Sequence, residues 1–139
     1  MTSPGNLRQR VEERANHRCE YCGISQVGQE AVFHVDHIHP VSLGGESHEE
    51  NFALACVSCS LRKGARATVI DPDTDEPVPI FNPRKDAWNH HFRWSEFEVV
   101  GISPIGRATA VALAMNRPII LGIRKEEALR GRHPPPNHV

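Results

Sequence analysis

Apolar residues recur at helical spacing near the start of the chain. Leu7, Val11 and Ala15 lie four positions apart, and most positions between them are charged. This period places the three side chains on one face of a helix. The pattern predicts an amphipathic helix over residues 7–16, with Asn6 as its N-terminal cap.

The next segments alternate between apolar runs and loop-forming residues. Residues 31–35 are β-branched and aromatic enough to predict a strand that ends at Asp36-His37. Residues 41–50 contain two adjacent glycines and predict a loop. A short apolar piece follows at residues 52–55, and residues 57–66 have the composition of a short helix.

The second half of the chain predicts two hairpins followed by two helices. A turn-forming run, Asp-Pro-Asp-Thr-Asp, separates the first pair of apolar segments, and Ser-Glu separates the second pair. Each helix opens with proline at its first position. The predicted hairpins pair residues 68–70 with 78–81 and 91–94 with 97–102, and the predicted helices span residues 105–115 and 118–130.

Length and composition narrow the class of protein. A chain of 139 residues corresponds to one domain, so we expect a single α+β domain over residues 1–139 with a mobile tail at residues 132–139. The apolar runs are far shorter than the roughly 20 residues that cross a bilayer, and the N-terminus lacks the pattern of a secretory signal. These features predict a cytoplasmic protein with no membrane partner.

Charge is distributed unevenly along the chain. Residues 1–56 carry 4 basic and 8 acidic side chains, whereas residues 57–139 carry 12 basic and 9 acidic ones. A locally positive surface favours a phosphate-bearing partner, and a solvated face of mixed charge is the alternative.

All four cysteines fall in two C-x-x-C pairs, Cys19 with Cys22 and Cys56 with Cys59. In a reducing compartment such pairs favour a metal over disulfides. Four thiolates can complete the tetrahedral shell of one structural Zn²⁺, and the two-residue gap lets one turn present both sulfurs. Redox pairs and buried free thiols are the alternatives.

The segment between the cysteine pairs carries polar residues in a distinctive order. Asp36 and His37 end the predicted strand, a Gly-Gly follows, and Asn51 lies five residues before Cys56. This arrangement resembles the HNH endonucleases, in the branch where two C-x-x-C pairs bracket the catalytic motif. The resemblance covers residues 17–66 and implies a small ββα-metal core with a pair of zinc knuckles, to which residues 67–139 add a C-terminal extension of hairpins and helices.

The resemblance also implies a DNA endonuclease, and the residue types suit that chemistry. Hydrolysis of a phosphodiester needs an activated water and a cation that neutralises developing charge. Asp36 is a hard oxygen ligand for Mg²⁺ or Mn²⁺. His37 can accept a proton near neutral pH as the general base. Asn51 is expected to orient the imidazole of His37.

One position departs from the HNH pattern. Ser60 stands after the fourth cysteine, where members of the family usually place the Asn or His that completes the catalytic metal site. The chain is then a slow nuclease, a nuclease with His34 or His39 as a substitute ligand, or a module that binds nucleic acid without cutting it. We expect the attenuated nuclease, because Asp36, His37 and Asn51 are retained together.

Basic residues after the second cysteine pair are candidates for contact with nucleic acid. Arg62, Lys63 and Arg66 lie within about one helical turn of each other and could contact phosphates, or form a simply charged face. The aromatic residues of segment 88–94 could stack on bases, but we expect them in the core. A zinc deaminase is disfavoured because Asp replaces the glutamate of its H-x-E signature, and a purely structural zinc scaffold is the remaining alternative.

Overall fold

A computed structural model describes residues 5–136 and shows an α+β fold, which confirms the predicted class. Three two-stranded antiparallel sheets alternate with five α-helices. In chain order the elements are α1 (Gly5–Arg14), β1 (His34–His37), β2 (Phe52–Ala55), α2 (Val57–Lys63), β3 (Thr68–Ile70), β4 (Pro77–Pro79), α3 (Trp88–His91), β5 (Phe92–Ser95), β6 (Glu98–Gly101), α4 (Pro104–Ala112) and α5 (Pro118–Leu129).

The module between the cysteine pairs consists of β1, β2 and α2. The strands pair so that Asp36 lies opposite Ala53 and His37 opposite Phe52, and α2 packs on both strands. Every residue of β2 is buried, which makes this strand the centre of the module. Cys56 caps α2, because its sulfur accepts a hydrogen bond from Cys59 N.

The ends of α1 differ from the prediction. The helix begins at Gly5, so Asn6 lies inside it rather than at its cap. It stops at Arg14 because Asn16 and His17 adopt positive φ angles, of 54° and 57°, that end a right-handed helix. Val11 and Ala15 are buried, as the helical period predicts.

The first strand and the loop after it also shift. The strand begins at His34 rather than at residue 31 and ends at His37, as predicted, because only residues 34–37 find partners in β2. Two short 3-10 helices, Val41–Leu43 and Glu49–Asn51, interrupt the predicted loop.

The C-terminal extension contains the two predicted hairpins and the two predicted helices, but a short helix that was not predicted, α3, lies between the hairpins and includes His91. The core of this extension is continuous with that of the module that carries the cysteine pairs, because buried Arg124 on α5 donates to Cys22 O at 3.1 Å. The same side chain donates to Phe97 O at 2.9 Å. Trp88 Nε1 likewise donates to Tyr21 O at 3.0 Å. Phe92 is buried and the rings of Trp88 and Trp94 stack on each other, so the prediction that these aromatics belong to the core is confirmed.

Two further expectations concern membrane-spanning helices and the C-terminal tail. Within residues 5–136, none of the helices has the length and apolar character needed to cross a membrane. The predicted mobile tail extends to residues 137–139, which lie outside the described residues.

Candidate metal and catalytic site

The four cysteines form one buried cluster. Their sulfur atoms all lie within 4.8 Å of one another, and Cys22 Sγ is 3.8 Å from Cys56 Sγ. Four sulfurs bound to zinc at about 2.3 Å would be separated by about 3.8 Å at the corners of a tetrahedron. The cluster could therefore hold a zinc ion.

Backbone donors support this cluster in the same way on both sides. Cys22 N lies 3.4 Å from Cys19 Sγ, and Cys59 N lies 3.4 Å from Cys56 Sγ. Such N–H donors stabilise negative charge on ligating sulfurs. Burial raises the pKa of Cys22, so without a cation its thiol resists ionisation. Four clustered sulfurs with an N–H donor on each side fit a cation that prefers thiolate ligands.

Asp36 points from β1 towards α2 and is 14% exposed. Its Oδ1 lies 3.4 Å from Ser60 Oγ, and its Oδ2 lies 3.0 Å from Lys63 Nζ. Burial raises the pKa of Asp36, whereas the charge of Lys63 opposes that rise. Oδ2 is buried, and its nearest charged neighbour is the ammonium of Lys63. A cation that bound this carboxylate would therefore compete with Lys63.

The structure corrects the expectation for Lys63. Its side chain is 1% exposed, and Nζ donates to His37 O at 2.7 Å besides pairing with Asp36. The ammonium is thus an internal counter-charge for Asp36 and does not reach the surface, where a phosphate would bind. Ser60 and Lys63 are three residues apart on α2, so helical spacing could have placed them on one face.

His34 joins the same group of side chains. It lies two residues before Asp36 on β1, and therefore on the same face of the strand. Its Nδ1 is 2.9 Å from Ser60 Oγ. The structure thus brings together His34, Ser60, Asp36 and Lys63, which we call the β1–α2 cluster. His39, the other proposed substitute ligand, instead lies in the loop with Nε2 3.0 Å from Leu43 O.

His37 has different neighbours, because adjacent residues on a strand point to opposite faces. Its Nε2 lies 3.0 Å from Ser47 Oγ, and its ring meets Phe52 edge-on with centroids 4.9 Å apart. Sequence reasoning missed Ser47, since a serine in a ten-residue loop carries no signal of its own. The charge of His37 nevertheless acts on Asp36, as a smaller influence than burial and Lys63 on the pKa of that carboxyl.

Asn51 contacts the backbone after His37 rather than the imidazole itself. Its Oδ1 accepts from His39 N at 2.8 Å, and its Nδ2 donates to His39 O at 3.0 Å and Glu46 O at 2.9 Å. The backbone carbonyl of Asn51 also accepts a hydrogen bond from Ile38 N at 2.8 Å. Asn51 therefore does not hydrogen-bond to the His37 ring, as was expected, but holds the backbone of the two residues that follow His37.

A close backbone approach completes this arrangement. A Cβ at Gly45 would lie 1.8 Å from His39 O, so only glycine fits there. Gly44 has a φ of +92°, which also favours glycine. The two glycines therefore let the loop pack closely against the backbone of His39, and this packing helps to position His37.

The two arginines of α2 and its C-terminal turn are exposed. Arg62 Nε lies 3.2 Å from Ser58 Oγ. Arg66 folds back on the end of the helix and donates to Arg62 O at 2.6 Å. Both remain accessible to an anionic partner.

Comparisons with known proteins identify this module. Residues 19–66 match the family model described as HNH endonuclease, a range that contains both cysteine pairs, β1, β2 and α2. Comparison with curated proteins gave no match, and comparison with solved structures gave none either.

Proposed function

The chain carries an HNH endonuclease domain at residues 19–66, and from this premise we propose that it is a DNA endonuclease that hydrolyses phosphodiester bonds. The observation that carries the proposal is the environment of Asp36. A largely buried carboxylate lies beside two further potential ligands, because Asp36 Oδ1 is 3.4 Å from Ser60 Oγ and that hydroxyl is 2.9 Å from His34 Nδ1.

We assign the binding of a hard divalent cation, Mg²⁺ or Mn²⁺, to Asp36, with Ser60 as a weaker partner. When bound, the cation would offset the negative charge that develops on the phosphoryl and leaving oxygens. Carboxylate and hydroxyl oxygens are ligands that such cations prefer. His34 Nδ1, 2.9 Å from Ser60 Oγ, orients the hydroxyl and is available as a substitute ligand.

We assign the role of general base to His37. One ring nitrogen is held by Ser47 at 3.0 Å and the ring packs against Phe52, which restricts its rotation. The other nitrogen can accept a proton from the attacking water. Asn51 acts as a positioning residue, because it holds the backbone of Ile38 and His39 rather than a reacting atom.

In this proposal Zn²⁺ bound by the four cysteines supports the catalytic module without taking part in the reaction. The second cysteine pair opens α2, which carries Ser60, and the first lies along β2. Closing all four sulfurs around one ion therefore fixes α2 against the strands.

A second candidate is a module that binds DNA without cutting it. The observation that favours it is Lys63, whose ammonium already supplies positive charge 3.0 Å from Asp36. An entering cation would compete with that charge, and Ser60 offers it a weaker ligand than Asn or His.

The test is nicking of supercoiled plasmid in Mn²⁺. His37→Ala should slow nicking about 100-fold or more, since general-base catalysis contributes at least that factor. Ser60→Asn should accelerate nicking. His90→Ala is the matched control, because His90 is exposed on α3 away from the module, and it should leave the rate unchanged. Equal rates for wild type, His37→Ala and Ser60→Asn would contradict the proposal.

A further inference from the structure

A cavity lined by basic side chains lies on the side of the module away from Asp36. The cavity, of about 480 Å³, opens between the first cysteine pair, the end of α1 and the segment before α3. Four cationic side chains line it, those of Arg14, Arg18, Arg84 and Lys85. Two acidic side chains also line it, so the cationic groups exceed the acidic ones by two.

Two of these arginines lack partners for part of their guanidinium groups. The Nε atoms of Arg14 and Arg84 are buried and donate to no acceptor among the described residues. The side chains are only 27% and 13% exposed. A buried donor without an acceptor is unfavourable unless water or a ligand satisfies it.

The same two arginines also repel each other. Burial, and next the charge of Arg14, lowers the pKa of Arg84 to about 10. Arg84 pairs with Glu20, which offsets one charge, while Arg14 reaches Glu50 only at 3.8 Å. An anion in the cavity would screen this repulsion between the two guanidinium groups.

We propose that this cavity binds a backbone phosphate of the DNA, away from the scissile bond. The identity of the ligand rests on the proposed function, whereas the preference for an anion rests on the cavity itself. Arginine donors arranged around a pocket suit phosphate oxygens, and Lys85 at the exposed rim adds a charge without a partner among the described residues.

The position of the cavity agrees with this ligand. Glu20 N donates to Leu54 O at 2.8 Å, and Leu54 N donates to Glu20 Oε2 at 2.8 Å. The first cysteine pair therefore lies along the edge of β2 opposite to β1. Two strand spacings, about 10 Å, then separate the cavity from Asp36. One strand of a duplex covers that distance in about three nucleotides.

The aromatic wall of the cavity does not offer a stacking surface for a base. Trp88 stacks on Trp94 at 5.0 Å and packs against Phe92 at 5.0 Å, while Arg124 covers Trp94 at 5.0 Å. The ring faces are therefore occupied within the protein. The cavity would therefore contact the sugar-phosphate backbone, and its contribution to binding should not depend on the DNA sequence.

The test measures affinity for a fluorescent 20-base-pair duplex by anisotropy, with no divalent cation added, over a range of salt concentrations. Loss of one phosphate contact lowers the slope of log affinity against log salt by about 0.9, and lowers affinity at 0.15 M salt about fivefold. We expect this loss for Lys85→Gln and for Arg84→Gln. Arg93→Gln is the matched control, since it removes one exposed cation from β5 outside the cavity, and it should keep the wild-type slope.

Lys85→Gln keeps the test independent of folding, because Lys85 is exposed and its side chain pairs with none of the described residues. A Lys85→Gln slope equal to that of wild type and Arg93→Gln would overturn the inference. The assay requires no cleavage, so its failure is separable from failure of the nuclease. If the wild type nicks plasmid but Lys85→Gln binds DNA as the wild type does, only the inference about the cavity is contradicted. If Lys85→Gln weakens binding but the wild type never nicks plasmid, only the proposed nuclease activity is contradicted.

Discussion

Replacing Lys63 by methionine should destabilise the protein by about 3 kcal/mol. Lys63 is 1% exposed and pairs with Asp36 at 3.0 Å, and removal of one partner of a buried ion pair costs about 3–5 kcal/mol. The lower end applies because Asp36 is 14% exposed and can recover some hydration. For a chain of this size, that loss lowers the melting temperature by about 10 °C.

Urea unfolding at pH 7.5 measures the effect. Lys85→Met is the control, because it removes an exposed lysine without a partner in the described structure and should change stability by less than about 0.5 kcal/mol. The double variant Asp36→Asn with Lys63→Met leaves neither charge buried, so most of the loss should be recovered. A Lys63→Met protein as stable as Lys85→Met would refute the buried pair as described.

Three further predictions rest on other contacts in the structure. Asn51→Ala removes two hydrogen bonds to the backbone of His39 and one to Glu46 O, and should lower the free energy of unfolding in urea by about 2 kcal/mol and lower kcat for nicking. Arg107 holds the pKa of Asp71 below its ordinary value, so this stabilisation is present above about pH 4 and disappears as pH falls through the lowered pKa. Melting temperatures of Asp71→Asn should therefore fall less steeply below pH 4 than those of wild type. Cys59→Ser should abolish cooperative unfolding seen by circular dichroism, since a zinc ion held by the four cysteines would contribute about 10 kcal/mol or more to folding.

The sequence was sufficient to predict the order of elements apart from α3, because the residues that start and end these elements act locally. Prolines at the first positions of α4 and α5 and turn residues between the hairpin strands act on their immediate neighbours. The four cysteines could be grouped for a similar reason, since their two spacings leave one simple way to surround an ion. Boundaries were less accurate where a backbone conformation decided them, as at His17.

The partners of the site residues depended on contacts that spacing alone does not reveal. His37 and Ser47 meet only because the loop between β1 and β2 folds over the strand end. Asn51 was expected on the His37 ring, but its amide matches the donor and acceptor of one backbone residue, His39. The burial of Lys63 follows from the packing of α2 on β1, which composition does not encode.

The central proposal is that one zinc-supported module supplies Asp36 as a ligand of the catalytic cation and His37 as the general base for hydrolysis of a phosphodiester. Metal analysis and plasmid nicking on the same preparation, purified without added metal, test it most directly. The account predicts one tightly held zinc per chain and nicking that begins only when Mn²⁺ or Mg²⁺ is added. A folded chain without zinc, or no nicking at any concentration of either cation, would contradict it.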